Sequence, residues 1–152
     1  MNRLGVVLCA LAVAGCTPGG LPPSGSSGQA ASVTIDVNLT NHAPGPTPAG
    51  TGGGYAPLVT TVTVGTTIRF TNSDGFAHTA TSIAGASQFP SGFPFTSAAL
   101  QQSGHTLSGG WSSGDMQAGV SSQSLVADKP GTYLFGCFHH YGAPMRGMIV
   151  VH

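Results

Sequence analysis

The chain has 152 residues, with four Lys and Arg, four Asp and Glu, and a formal net charge of +0; this length suits a single domain. Only 5% of the residues are charged, against 24 Gly and 11 Pro, which excludes a helical bundle and favours a β-rich, loop-rich fold. The chain has no run of Lys or Arg. Nucleic acid is therefore excluded as a partner, because its binding depends on positive charge.

The first fifteen residues predict an export signal. Arg3 gives a positive start, and the apolar run Leu4–Ala14 that follows is too short to cross a bilayer. The run ends in the letters LAVAGC, which resemble the lipobox of bacterial lipoproteins and would make Cys16 the lipidated first residue. The alternative is an ordinary signal peptide that leaves Cys16 as a free thiol. We expect an extracytoplasmic protein anchored by lipid to a bacterial membrane, on its periplasmic or cell-surface face.

The chain divides into three parts. Residues 1–15 are the predicted signal peptide, and 16–31 are the lipidated cysteine with a Pro, Gly and Ser tether that has little to bury. Residues 32–152 are the predicted folded domain. Only one cysteine, Cys137, lies in that domain, so no disulfide framework is possible and this thiol is either buried and inert or a ligand.

The domain begins with a pattern typical of a half-buried strand. Apolar and polar residues alternate strictly through Val33, Ile35, Val37 and Leu39. Residues 41–57 are rich in Pro and Gly and predict a surface loop without ladder pairing. Residues 62–64 and 67–72 then predict two strands, which we expect to form a hairpin or meander turning at Gly65.

The second half of the domain predicts one long ordered loop and then further strands. Residues 84–119 contain Pro and Gly throughout, and we expect four aromatic residues to pack this loop down: Phe89, Phe93, Phe95 and Trp111. Residues 120–127, 131–135 and 148–151 predict strands. Six to eight short strands without an amphipathic helix indicate an all-β, antiparallel sandwich.

A cluster of metal-binding residue types follows the strand at 131–135. Cys137, His140 and Met145 have the spacing Cys-x2-His-x4-Met. A thiolate, an imidazole and a thioether in one short loop favour copper, because the sulfur ligands suit Cu(I) while imidazole holds Cu(II). Zinc alone would not require the methionine. We prefer His140 to its neighbour His139, because only His140 leaves four residues before Met145.

The fourth ligand must come from elsewhere in the chain. His78 stands just beyond the end of the strand predicted at 67–72. Together with Cys137 and His140 it would complete a trigonal site of two histidines and one cysteine, with Met145 as a weak axial ligand. His42 and His105 lie in polar loops, where we expect exposed imidazoles, and Met116 lies on a polar loop without partners.

These residues and the blocks around them resemble the cupredoxins, the blue-copper proteins, and in particular the plastocyanin and pseudoazurin branch. The matching blocks are 64–74 with His78, 131–137 and 145–151. The resemblance implies a Greek-key β-sandwich with one copper ion per domain, bound by His78, Cys137, His140 and Met145. Thr79 stands where the family often has Asn, and its hydroxyl can still tie the two ligand loops together. Phe138, beside Cys137, is the other supporting residue.

The resemblance also implies one-electron transfer through the exposed edge of His140. We expect redox partner proteins to dock briefly on an uncharged patch formed by residues 141–144 around that edge, and we expect a monomer. Four ligands would leave the metal no open position for a substrate. The chain also contains no Glu, so a carboxylate pair for hydrolysis has no obvious source. The prediction is an electron carrier and not an enzyme.

Two alternatives to electron transfer remain at this point. The first is a copper carrier or copper-resistance lipoprotein, in which His139, His42 and Met116 act as transient ligands. Rapid surrender of copper to a chelator would favour this carrier. The second is a structural module that keeps the sandwich without the metal. That module would show no copper absorption band.

Overall fold

The computed structural model describes residues 31–152. The predicted signal peptide at 1–15, the lipidation site Cys16 and residues 17–30 of the predicted tether lie outside the described residues. These predictions therefore stay predictions. The predicted copper domain at 32–152 lies within the described part of the chain.

Short strands and one 3₁₀ helix, Ser97–Leu100, make up the regular structure of residues 31–152. The strands are β1 (Ser32–Val37), β2 (Gly45–Thr47), β3 (Gly50–Gly52), β4 (Tyr55–Ala56), β5 (Val59–Val62), β6 (Thr67–Asn72), β7 (Thr81–Ile83), β8 (Gln102–Ser103), β9 (Ser112–Ser113), β10 (Leu125–Val126), β11 (Gly131–Gly136) and β12 (Arg146–Val151). The excess over the expected six to eight strands consists of β4, β8, β9 and β10, each two residues long. Within the described range, no helix is long and apolar enough to cross a bilayer.

Two sheets pack face to face, which confirms the predicted all-β sandwich. One sheet has the order β10-β6-β1-β4 and the other has the order β5-β12-β11-β7-β9-β8, while β2 and β3 form a separate pair. One core cluster joins the two sheets, with Ile35 and Phe70 from the first sheet and Phe135 and Ile149 from the second. Most strand pairs are antiparallel, but β1 with β6 and β5 with β12 run parallel.

The hairpin predicted between residues 62 and 72 is wrong, because its two strands belong to different sheets. β5 pairs with β12, and β6 pairs with β1 and β10. Gly65, at φ +89°, lies in the turn that carries the chain across the core. Val62 and Ile68 both bury their side chains in that core, from opposite sides. Alternating burial is the same for a hairpin and for a crossing between sheets, so the sequence pattern cannot separate them.

The prediction of an unpaired surface loop at 41–57 is also wrong. This stretch contains β2, β3 and β4, and Pro46 stands opposite Thr51 in the β2–β3 pair. A proline is tolerated there because a two-stranded pair consists only of edge strands. Tyr55 is 2% exposed, and its ring packs edge to face on Phe135 with centroids 4.9 Å apart. A large buried aromatic residue thus draws the segment into the core.

The segment 84–119 is ordered with little regular structure, as expected. Phe89 and Trp111 are buried and hold it down, but Phe93 is 56% exposed and does not. The strand predicted at 120–127 is reduced to β10, with two isolated bridges, one between Thr71 and Ser121 and one between Thr106 and Val126. The serines in this stretch use their side chains as partners instead: Ser122 Oγ accepts a hydrogen bond from the Phe70 N–H at 3.0 Å.

Candidate metal centre

Two chain segments carry the predicted ligands, one that follows β6 and one that lies between β11 and β12. Cys137 follows β11 directly, and Met145 directly precedes β12. The long antiparallel pairing of β11 with β12 closes the loop between them, and the Cys137 N–H donates to the Met145 carbonyl at 3.0 Å. His78 follows β6, and paired backbone hydrogen bonds of 3.1 and 2.8 Å join it to Met116.

Three of the predicted ligands present their donor atoms to one another. The Cys137 Sγ lies 3.7 Å from the Nδ1 of His78 and 3.7 Å from the Nδ1 of His140. The two Nδ1 atoms are 3.2 Å apart. Within residues 31–152 these three side chains form the group of donors that could hold a metal ion. Cys137 and His78 are completely buried, whereas His140 is half-buried.

Burial keeps both imidazoles neutral. Burial lowers the pKa of His78, although Asp74 opposes that effect, and it lowers the pKa of His140 with help from His78. Burial also raises the pKa of the Cys137 thiol, against hydrogen bonds from the N–H groups of Thr79 and of the loop. Two neutral imidazoles can direct their lone pairs at a common centre, and a bound cation would favour the thiolate. One sulfur and two imidazole nitrogens form a donor set that fits copper.

Met145 lies in the same buried cluster as Cys137 and is fully buried. Its side chain fills the space above Gly54: a Cβ atom on Gly54 would lie 2.5 Å from the Met145 Cγ and 3.3 Å from its Sδ. Gly54 also has φ +73°, a backbone conformation that residues other than glycine rarely adopt. The position of the Met145 side chain therefore depends on a glycine that the sequence pattern did not single out.

Thr79 connects the two ligand segments through two hydrogen bonds. Its hydroxyl accepts a hydrogen bond from the Phe138 N–H at 2.8 Å, and its own N–H donates to the Cys137 Sγ at 3.4 Å. The Thr79 carbonyl accepts a hydrogen bond from the Tyr55 hydroxyl at 2.6 Å. The Phe138 ring packs on Phe93, 5.2 Å between centroids. The segment after β6 is thereby fixed to the copper loop, residues 137–145, and to the core.

Asp74, like Gly54, is a residue beside the site whose role the sequence did not indicate. One carboxylate oxygen lies 3.1 Å from the Nε2 of His78. Burial pushes the pKa of Asp74 upward, but hydrogen bonds from Gly75, His78 and Thr40 outweigh it and lower the pKa to about 2. The available signal was the spacing Asp-x3-His directly after a strand.

The other histidines of residues 31–152 are not part of this donor group. His139 is exposed, and its Nε2 lies 2.6 Å from an Asp115 oxygen. His42 is half-buried and sits 2.6 Å from Asp36, so the expectation of an exposed, solvated imidazole is wrong there. His105 is exposed. Met116 is 1% exposed and packs in the core, contrary to its predicted place on a polar loop; a buried backbone bridge to His78 was not visible in the sequence.

The surface beside His140 differs from the predicted patch in one residue. Tyr141 is 2% exposed; its hydroxyl donates to the Pro90 carbonyl at 3.0 Å, and the Arg146 guanidinium lies 4.1 Å from its ring. Phe76 takes its place at the surface. It is 43% exposed, and its ring contacts that of His140 at 5.4 Å between centroids.

Comparison with known proteins decides the family. The family of copper-binding proteins described as plastocyanin/azurin matches residues 51–152. The chain belongs to this family. It is a cupredoxin, as the sequence resemblance indicated, and copper is its cofactor. The match contains all four predicted ligands but leaves out β1 and β2.

The chain is similar to several solved structures of cupredoxins at low sequence identity. A variant of amicyanin in its reduced Cu(I) form is 19% identical, with 80% of this chain and 82% of that chain covered and a TM-score of 0.50. A purple cupredoxin from Nitrosopumilus maritimus is 23% identical over 78% and 98% of the two chains, with a TM-score of 0.48. Oxidised plastocyanin from Dryopteris crassirhizoma is 21% identical over 79% and 100%, with a TM-score of 0.47. No curated protein sequence matches the chain.

Proposed function

We propose that this cupredoxin carries single electrons at one copper ion bound by His78, Cys137, His140 and Met145. The observation that carries the proposal is the buried group of one thiol and two imidazoles whose donor atoms face one another within 3.7 Å. Copper bound there supplies a couple between Cu(II) and Cu(I) that exchanges one electron. With four protein ligands, no position stays open for a substrate, so the protein is not an enzyme.

The residues around the donor atoms shield the site from water, except at one side chain that reaches the surface. Cys137 and His78 are sealed from solvent, which excludes water and competing ligands. Thr79 keeps the two ligand segments at a fixed separation through its contacts with Phe138 and Cys137. His140 alone of the three donor side chains reaches the surface. Electrons therefore enter and leave through the edge of His140.

We further propose that redox partners dock around that edge. Gly142 and Ala143 are exposed and uncharged, and Phe76 adds an exposed aromatic ring beside His140. A small apolar patch suits brief contacts between redox proteins. The near-zero net charge gives little long-range steering of a partner.

The lipobox and tether suggest where this takes place. We propose that Cys16 carries lipid and that residues 16–31 hold the copper domain close to a bacterial membrane, on its periplasmic or cell-surface face. The domain then acts as an extracytoplasmic monomer confined to a surface. Labelling the protein in its host with a radioactive fatty acid tests this, and a Cys16→Ala protein that still takes up label would contradict it.

Addition of Cu(II) to the exported protein, purified in detergent, tests the copper site. We expect an intense blue absorption band from thiolate to copper and a narrow copper hyperfine splitting in the paramagnetic resonance spectrum. A colourless protein, or an ordinary tetragonal copper spectrum, would contradict the proposal.

Copper release separates the electron carrier from the copper carrier considered above. Of the transient ligands that a copper carrier would use, His42 and His139 are each held at 2.6 Å by an aspartate, and Met116 is buried. We therefore expect slow loss of copper to a chelator in excess, with a half-time of hours. Loss within seconds would favour the copper carrier.

A further inference from the structure

The two histidines of the centre have different surroundings on the side away from Cys137. His78 is completely buried, and its Nε2 faces an oxygen of Asp74 at 3.1 Å. The ring of His140 packs on Phe76, and its hydrogen-bond contacts within the described residues are those of Nδ1 with Cys137 and His78. One ligand is therefore backed by a carboxylate, and the other ends at the surface.

The contact with Asp74 specifies the tautomer of His78. A neutral imidazole carries one proton, on one of its two nitrogens. Nδ1 must keep its lone pair if it is to bind a metal beside the Cys137 Sγ. The proton then lies on Nε2, where it is donated to Asp74. The opposite tautomer would put a proton between Nδ1 and the thiol and leave two lone pairs facing each other at Nε2.

Asp74 is itself fixed by donors. The Thr40 N–H and hydroxyl donate to its oxygens at 3.2 and 3.0 Å, and the Gly75 N–H donates at 2.8 Å. The carboxylate is 7% exposed, so its orientation is set by these contacts. Thr40 lies just after β1, which ties the first strand of the domain to the ligand.

This arrangement differs from the other two histidine–aspartate pairs of the described chain. The side chains of His42 with Asp36 are 24% and 38% exposed, and those of His139 with Asp115 are 32% and 36% exposed. Water screens both pairs strongly. The Asp74–His78 pair is 6% and 0% exposed, so its charge acts on the centre with little screening.

We infer that Asp74 is a positioning residue for copper: it fixes His78 with its Nε2 protonated and places a buried negative charge behind that ligand. Carboxylates behind metal-bound histidines orient the ring and make it a stronger donor. A stronger donor and a nearby negative charge favour Cu(II) over Cu(I). Asp74 thus lowers the reduction potential of the centre. This inference rests on the proposed role of His78 as a ligand.

The test compares Asp74→Asn with the control Asp36→Asn. Asparagine keeps the size of the side chain and removes its charge in both variants, but Asp36 is paired with His42 outside the donor group. We expect a tenfold loss of the preference for Cu(II) in Asp74→Asn, which raises the reduction potential by about 59 mV. The potential of Asp36→Asn should equal that of the wild type. If both variants bind copper as the wild type does and their reduction potentials are equal, the inference is overturned.

A second measurement needs no variant and no copper. The nitrogen chemical shifts of His78 in the metal-free wild type report which ring nitrogen carries the proton. We expect the Nε2-protonated tautomer. A proton on Nδ1 would overturn the inference even if Asp74→Asn failed to fold. If the wild type took up no copper at all, the proposed function would fail as well, and the tautomer would still decide the Asp74–His78 contact.

Discussion

The loop 137–145 and the segment 52–55 contact each other in the structure, but only the role of the loop can be predicted from the sequence. The loop 137–145 carries three predicted ligands within nine consecutive positions, so their residue types and spacing together indicate copper. The segment 52–55 carries no ligand, and its composition predicts a surface loop. In the structure it is buried, with Gly54 under Met145 and Tyr55 bonded to Thr79. A ligand motif is local in sequence, whereas the surface that supports it comes from distant residues.

The backbone shows how the two segments are joined. Gly53 exchanges both of its backbone hydrogen bonds with Arg146, at 3.0 Å each. Arg146 is the first residue of β12, next to Met145. The segment 52–55 therefore lies against the end of the copper loop, and we expect a substitution in either one to shift the position of the other.

The largest expected effect is in the loop. Cys137→Ser removes the thiolate, and we expect complete loss of the intense visible band with far-UV circular dichroism unchanged, because the core strands pack without the metal. His105→Asn, at an exposed histidine, is the control and should keep the band. A persistent intense band in Cys137→Ser would show that the ligand assignment is wrong.

The next effect is in the supporting segment. Gly54→Ala forces a positive φ on alanine and drives its Cβ into Met145, and we expect a loss of roughly 2–4 kcal/mol in the free energy of unfolding. Gly65→Ala is the matched control, because Gly65 has φ +89° with nothing within 4 Å. Thermal unfolding of the two metal-free variants measures the difference. Equal losses would mean that overlap with Met145 contributes nothing.

A smaller effect is expected at the tyrosine of the same segment. Tyr55→Phe leaves the buried Thr79 carbonyl without its donor, and we expect a loss of about 1–3 kcal/mol in unfolding free energy. Tyr133→Phe is the control, because that hydroxyl bonds the Lys129 carbonyl at an exposed position. Urea unfolding of both variants compares them. A Tyr133→Phe loss as large as that of Tyr55→Phe would argue against a supporting role for Tyr55.

The smallest effect concerns the exposed side of the loop. Electron self-exchange between two copies of the protein requires the patches around His140 to meet. Because Gly142, Ala143 and Phe76 carry no charge, we expect the rate to change by less than about threefold between low and high salt. Line broadening in mixtures of reduced and oxidised protein measures this rate. A steep dependence on ionic strength would show that charged residues control the encounter.

The sequence could predict the sandwich and the donor group, because both depend on local patterns. Alternation through Ile35 and Val37 predicts β1, and the spacing from Cys137 to Met145 predicts the loop. The crossing at Gly65 could not be predicted, since each of its two strands buries one face whichever sheet it joins. The roles of Asp74 and Gly54 could not be predicted for a related reason. Their roles arise from contacts with side chains that the fold alone brings near.

Burial of Cys137 has a consequence for the protein before any metal arrives. Oxidation of a cysteine to sulfenic or sulfonic acid, or its capture in a mixed disulfide, begins with an accessible thiolate. Cys137 is the free cysteine of the described chain and is completely buried, and its raised pKa keeps it in the thiol form. The thiol of the folded, metal-free protein is thus shielded from oxidants, and it remains available until copper is supplied.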